Sequence, residues 1–144
     1  MAFVWKEEWA IGREQIDSQH RELFKTVNSL IDACHAGKGF NVIDDTMNFL
    51  LNYTVKHFND EETLQRQIGF PGYRGHKKLH DDFKAQAMGL AAKVKAGHSN
   101  VVIMQVSQTI GEWLVNHVGK EDRKIGEHLK ERKKAISEPD SSDL

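Results

Sequence analysis

Four segments of this chain carry apolar residues at helical spacing, and the first three each stop at a break that a helix does not cross. That pattern leaves few folds open. After Asp17, which suits a helix N-cap, the positions His20, Leu23, Phe24, Val27, Leu30, Ile31 and Cys34 follow the rhythm of one helix face. "HAGKG" ends the stripe, with Gly37 as the expected C-cap. A second stripe runs through Ile43, Met47, Leu50, Tyr53, His57, Glu61 and Leu64, and "GFPGYRG" breaks it. The third holds His76, Leu79, His80, Phe83, Ala87, Leu90 and Val94 and ends in "KAGHSN", where Ser99 or Asn100 can cap the next helix. The fourth holds Ile103, Val106, Ile110, Trp113, Leu114 and His117. No segment alternates as a strand would. Four amphipathic helices joined by short loops predict an all-α, antiparallel up-down four-helix bundle.

The rest of the chain fits around that bundle. Trp5, Trp9, Ile11 and Ile16 have no clear helical period, so residues 1–16 are expected to pack over the bundle as an arm. The bundle domain is expected to span residues 1–134, including a short C-terminal helical segment. Residues 135–144 are expected to form a polar, disordered tail. The basic stretch "KERKKA" suits a solvated helix end better than a docking site.

Composition narrows the function classes. With 20 basic and 21 acidic residues the net charge is −1, which argues against a nucleic-acid binder. No apolar run is long enough to span a bilayer. The opening "MAFVWKEEW" lacks a basic region followed by an apolar run, so no signal peptide is expected. The single cysteine, Cys34, excludes an intrachain disulfide and fits a reducing, cytoplasmic setting.

The unusual residue is histidine, of which there are eight. His20, His57, His76, His80 and His117, with Glu61, lie on the apolar stripes, where an ionisable side chain is costly unless paired or bound to a metal. Singly, each suits a hydrogen-bonded core histidine. The pairs say more, because His57 with Glu61 and His76 with His80 are four apart, a spacing that aims two ligands at one ion. In an up-down bundle all six fall in one layer at one end. From His20 to Ala36 is 16 steps, as from Asn41 to His57; from His80 to Gly97 is 17, as from Asn100 to His117. Each arm is then roughly 25 Å long, so the six side chains arrive at matching depth. His35, His98 and His128 fall at helix ends, loops or charged segments and read as solvent-facing or capping residues.

Five histidines and at least two carboxylates exceed the needs of one ion, so a two-metal site with bridging carboxylates is expected. Imidazole suits iron, zinc or copper. A structural zinc favours cysteine and closes at four ligands. Oxygen-activating di-iron bundles use more carboxylates. The histidine-rich set favours the reduced metal and thus reversible oxygen binding. Leu23, Phe58, Trp113, Leu114 and Val118 lie within four residues of ligand positions and suit a dry pocket. One ambiguity stays open: in "HVGKED", regular helix puts Glu121 under His117 and turns Asp122 away.

The pieces "IDSQH", "HFNDEE", "HKKLH" and "HVGKED", in that order, resemble the hemerythrin family, and within it the stand-alone bacterial hemerythrins. The opening "VWKEEWAIGREQID" also resembles the family's N-terminal arm. The resemblance implies two iron ions per chain with a bridging oxo or hydroxo group and dioxygen as ligand. It implies that His76, His80 and His117 hold one iron, that His20 and His57 hold the other beside an open position, and that Glu61 and Asp122 bridge. Ile125 stands where some animal members carry tyrosine. The implied function is non-enzymatic: reversible dioxygen binding for transport, storage or delivery to an oxygen-consuming enzyme. An oxygen or redox sensor, a di-iron enzyme such as a peroxidase or nitric-oxide reductase, and an iron-handling protein are the alternatives. If Asp122 is the bridge, helix four must widen by one residue after His117, with Gly119 easing the distortion. A local break in regular helix between His117 and Asp122 is therefore predicted.

Overall fold

The computed structural model describes residues 3–97 and 99–137. Helices α1 (Glu14–His35), α2 (Gly39–Gln67), α3 (Tyr73–Ala96) and α4 (Asn100–Asn116) form the bundle, and α5 (Arg123–Ser137) extends it. No strand occurs among the described residues. Helix α1 packs on α2 and α4, and α3 on the same two, which is the ring of neighbours an up-down bundle requires. No helix is long and apolar enough to cross a membrane.

Local chemistry sets the helix ends. Gly37 and Gly69 take φ of 73° and 64°, a region that favours glycine. At the first, Lys38 N–H donates to Ala33 C=O and Gly37 N–H to Cys34 C=O. At the second, Phe70 N–H donates to Gln65 C=O and Gly69 N–H to Arg66 C=O. Both are Schellman closures, which pair the last carbonyls and turn the chain sharply. Ser99 caps α4 by accepting from Val102 N–H at 3.1 Å.

Asp17 does something other than N-capping. Helix α1 begins earlier, with Arg13 at the cap position and no capping side chain. Asp17, buried in the first turn, accepts from Ile11 N–H at 2.8 Å and Gly12 N–H at 3.2 Å. It ties down the turn at Gly12, whose φ is 88°, and so joins the arm to α1. Within the arm a short 3₁₀ turn, Glu7–Trp9, buries Trp9. Leu79 also differs from expectation. It is 38% exposed, because α3 buries only the narrow stripe His76, His80, Phe83, Ala87 and Val94. Helix α5 continues to Ser137, past the expected start of the tail. Residues 138–144 of that tail, and His98, lie outside the described residues.

Two apolar clusters bracket the polar layer. The main core fills the bundle from Leu23 and Phe58 through Ile103 and Leu114. A smaller cluster of Ile11, Ile16, Ile68 and Ile125 closes the other side, with Leu64, Phe70 and Leu129 packed on it. Ile16 precedes His20 by one turn, Ile68 follows Glu61 by two, and Ile125 follows Asp122 by one. The polar layer is therefore sealed at the end of the bundle where solvent would otherwise reach it.

Candidate metal centre

The structure brings His20, His57, Glu61, His76, His80, His117 and Asp122 together, every one of them buried. Their donor atoms fall into two groups, each spanning no more than 4.8 Å: Glu61, His76, His80, His117 and Asp122 in one, and His20, His57, Glu61 and Asp122 in the other. The carboxylates divide their oxygens between the groups. Glu61 Oε1 lies 2.7 Å from His76 Nε2 and 3.2 Å from His80 Nε2, while its Oε2 lies 3.3 Å from His20 Nε2 and 3.1 Å from His57 Nε2. Asp122 Oδ1 lies 2.9 Å from His76 Nε2 and 3.1 Å from His117 Nε2, while its Oδ2 lies 3.0 Å from His20 Nε2.

These are not ordinary hydrogen bonds throughout. His117 Nε2 lies 3.1 Å from both His80 Nε2 and His76 Nε2, and a neutral imidazole carries a proton on only one nitrogen. Asp122 is wholly buried and close to three rings, yet neither oxygen accepts a hydrogen bond of normal geometry. Donors held at about 2.1 Å from one ion and at right angles stand about 3 Å apart. The observed spacings of 2.7–3.3 Å match that edge length, so the donor set fits metal ions.

The electrostatics agree. Burial pulls His20 and His76 down, but the facing carboxylates of Asp122 and Glu61 outweigh it and raise them to about 9 and about 10. Burial also lowers His57, which Glu61 only partly offsets. Burial and mutual repulsion push Asp122 upward, yet His117 and His20 prevail and hold it far below the usual carboxylate range. Glu61 is likewise held well below that range, with His20, His57 and His76 outweighing its burial. Ligands must shed protons to take a metal, so ion binding here displaces protons from the histidines.

Asp122 reaches the cluster because the helix changes pitch. A π-helical turn spans His117–Asp122, so the break predicted there is present. One extra residue in the turn brings Asp122 beneath His117. Glu121 rotates outward and pairs with Lys124 at 3.2 Å. Gly119 has a second reason to be glycine: a Cβ there would stand 3.1 Å from the Trp9 ring, so the arm packs on the π turn itself.

Of the apolar residues expected near the ligands, Leu23, Phe58, Leu114 and Val118 are buried and Trp113 is half-buried. Two of them brace ligand rings directly. Phe58 stacks on His80 at 3.8 Å and 3°, and Trp113 on His117 at 4.3 Å and 12°. His35 is exposed, and His128 Nε2 approaches Ile68 C=O at 3.1 Å, closing the end of α2. Sequence reasoning missed the supports behind the ligands: Gln19 on His57 Nδ1 and Glu62 on His80 Nδ1, each at 2.8 Å. Their one sequence signal is adjacency to a ligand, beside His20 and beside Glu61.

A family model described as the hemerythrin HHE cation-binding domain matches residues 11–129. The chain belongs to the hemerythrin family. It is 32% identical over 119 residues to a bacteriohemerythrin of Pseudomonas aeruginosa, covering 83% of this chain and 76% of that one. It is 33% identical over 110 residues to a bacteriohemerythrin of Methylococcus capsulatus, covering 76% of this chain and 82% of that one. A crystal structure of wild-type hemerythrin superposes with a TM-score of 0.77 at 30% identity, covering 88% of this chain and 97% of the other. A hemerythrin domain implies a cation site, typically of iron, and the buried His/Glu/Asp cluster is where this one has the donors for it.

Proposed function

We propose that this chain binds dioxygen reversibly at a centre of two iron ions, as a non-enzymatic carrier or store, or as a supplier to an oxygen-consuming enzyme. One observation carries the reading: Glu61 and Asp122 each turn one oxygen to a three-histidine group and the other to a two-histidine group. Two acids arranged in this way could each serve both members of a pair of ions. His76, His80 and His117 complete one half. His20 and His57 would hold the other with one histidine fewer, which would leave room there for dioxygen. Iron held by these residues would supply the electrons that dioxygen takes up on binding and returns on release.

The chain's own residues keep that exchange reversible. Leu23, Phe58, Leu114 and Val118, all buried, and the half-buried Trp113 surround the ligands with apolar atoms and would exclude water. The Ile11, Ile16, Ile68 and Ile125 cluster seals the far side. Glu61 and Asp122 would both be committed to holding the ions, so neither would be free to exchange protons with dioxygen. The test is reconstitution with ferrous iron and repeated cycling between oxygen and argon. A visible absorption that appears and vanishes reversibly, at about two irons per chain, supports a carrier. Irreversible bleaching, or turnover of added peroxide or nitric oxide, would overturn it in favour of a di-iron enzyme.

A further inference from the structure

The two halves of the cluster are supported unequally. In the three-histidine half, His80 donates its Nδ1–H to Glu62 Oε2 at 2.8 Å, and Glu62 is only 5% exposed. In the two-histidine half, His57 donates its Nδ1–H to the neutral amide oxygen of Gln19 at 2.8 Å. Gln19 in turn donates to Asp60 Oδ2 at 2.8 Å, so the charge there stands one residue further back. The other ring of that half, His20, has a buried Nδ1 with no hydrogen-bond partner. Ring packing follows the same division for two of the three rings, His76 having only the edge of Phe70 at 6.3 Å. His80 and His117 are each covered by a flat-stacked aromatic, whereas Trp5 against His20 and Phe58 against His57 are tilted, at 5.9 Å each.

A carboxylate that accepts a ligand's second ring proton fixes its tautomer and raises the basicity of the ligating nitrogen; a neutral amide fixes the tautomer with less effect on basicity. Flat-stacked rings also have less freedom left to lose when an ion arrives. Glu61 and Asp122 each offer one oxygen to either half. We propose that Glu62 is a positioning residue that makes the three-histidine half fill first, so that the centre loads in order: one ion on His76, His80 and His117, then the second on His20 and His57. This rests on the two-ion reading above.

Cobalt(II) is a suitable probe, because it binds such donors and is not oxidised by air during a titration. Ion-free protein is titrated with cobalt(II) against a competing chelator, and two stepwise affinities are read from the visible bands. The wild type should show two separated steps, and His57→Ala should lose the second while keeping the first. Glu62→Gln keeps the shape and an accepting oxygen but removes the charge. It should weaken the first step by about 10-fold or more, leave the second nearly unchanged, and narrow the gap between them. Gln19→Ala should weaken the second step alone. Circular dichroism checks that each variant keeps its helix content. Two steps that Glu62→Gln leaves unmoved, or weakens equally, would overturn the ordered loading while leaving the two-ion reading intact. A wild type that takes up only one ion would instead sink the two-ion reading, and the ordered loading with it.

Discussion

Gly111, in the middle of α4, is where the arm meets the bundle most tightly. A Cβ at this position would overlap the ring of Phe3. That ring cannot slide aside cheaply. Phe3 is only 9% exposed, its N–H donates to Asn28 Oδ1 at 3.0 Å, and Asn28 Nδ2 donates back to Phe3 C=O. Gly111→Ala therefore sets two effects against each other. Alanine is the better helix former by about 1 kcal/mol. Expelling Phe3 loses its burial, about 2–3 kcal/mol, and two hydrogen bonds of about 1 kcal/mol each. The clash wins by about 3–4 kcal/mol, which for a domain of this size lowers the melting temperature by about 10 °C. The assay is thermal unfolding of the ion-free protein followed by circular dichroism, in two backgrounds. With Phe3→Ala the obstacle is gone, so the same Gly111→Ala should become stabilising by about 1 kcal/mol. That reversal of sign is the decisive result. An equal loss in both backgrounds would show that α4 needs glycine for its own sake, and the arm argument would fail. The displaced arm should also uncover the ring of His20, which Trp5 covers at 5.9 Å.

The π turn predicts a contrast between neighbours: Asp122→Ala should lower bound iron and destroy the oxygen-dependent spectrum, while Glu121→Ala, which removes only a surface pair with Lys124, should leave both near wild type. The opposite ranking, measured by metal analysis and absorption, would place the wrong carboxylate in the centre. The ion-free protein should also show a characteristic pH profile. His20 and His76 are raised, so their stabilisation is complete below the ordinary histidine value of about 6.5 and is lost as pH rises through about 9 and about 10. Glu61 and Asp122 are depressed, so theirs is present above about 4 and is lost as pH falls below that toward their folded values. Melting temperature without metal should peak in mildly acidic buffer and decline toward pH 10, while metal affinity climbs over the same interval as protons cease to compete. A melting temperature without metal that stays flat from pH 6 to 10 would contradict the paired histidines.

Much of this was legible in the chain because helices are local. Periodicity alone identifies which face of each helix turns inward, and a rise of 1.5 Å per residue brings six polar side chains to one depth without any knowledge of packing. Where the reading slipped, the competing contact came from another segment. Asp17 had the right chemistry for an N-cap, but the backbone N–H groups of Ile11 and Gly12 took its carboxylate instead. Leu79 had the right spacing for the core, but α3 buries a narrower stripe than its apolar residues allow.

The order of residues by itself determined four amphipathic helices, their breaks at Gly37 and in "GFPGYRG", and a layer of potential ion ligands near one end of the bundle. Helix geometry alone favours Glu121, and it was the family resemblance that pointed to Asp122 and to a break in the helix. The tertiary structure decided how that is met: a π turn brings Asp122 under His117, and the Trp9 ring lies close against that turn at Gly119. It decided as well that Glu62 and Gln19 stand behind different histidines. Which acceptor meets a ring's second nitrogen depends on how neighbouring helices are rotated against each other, and no spacing within one helix encodes that angle.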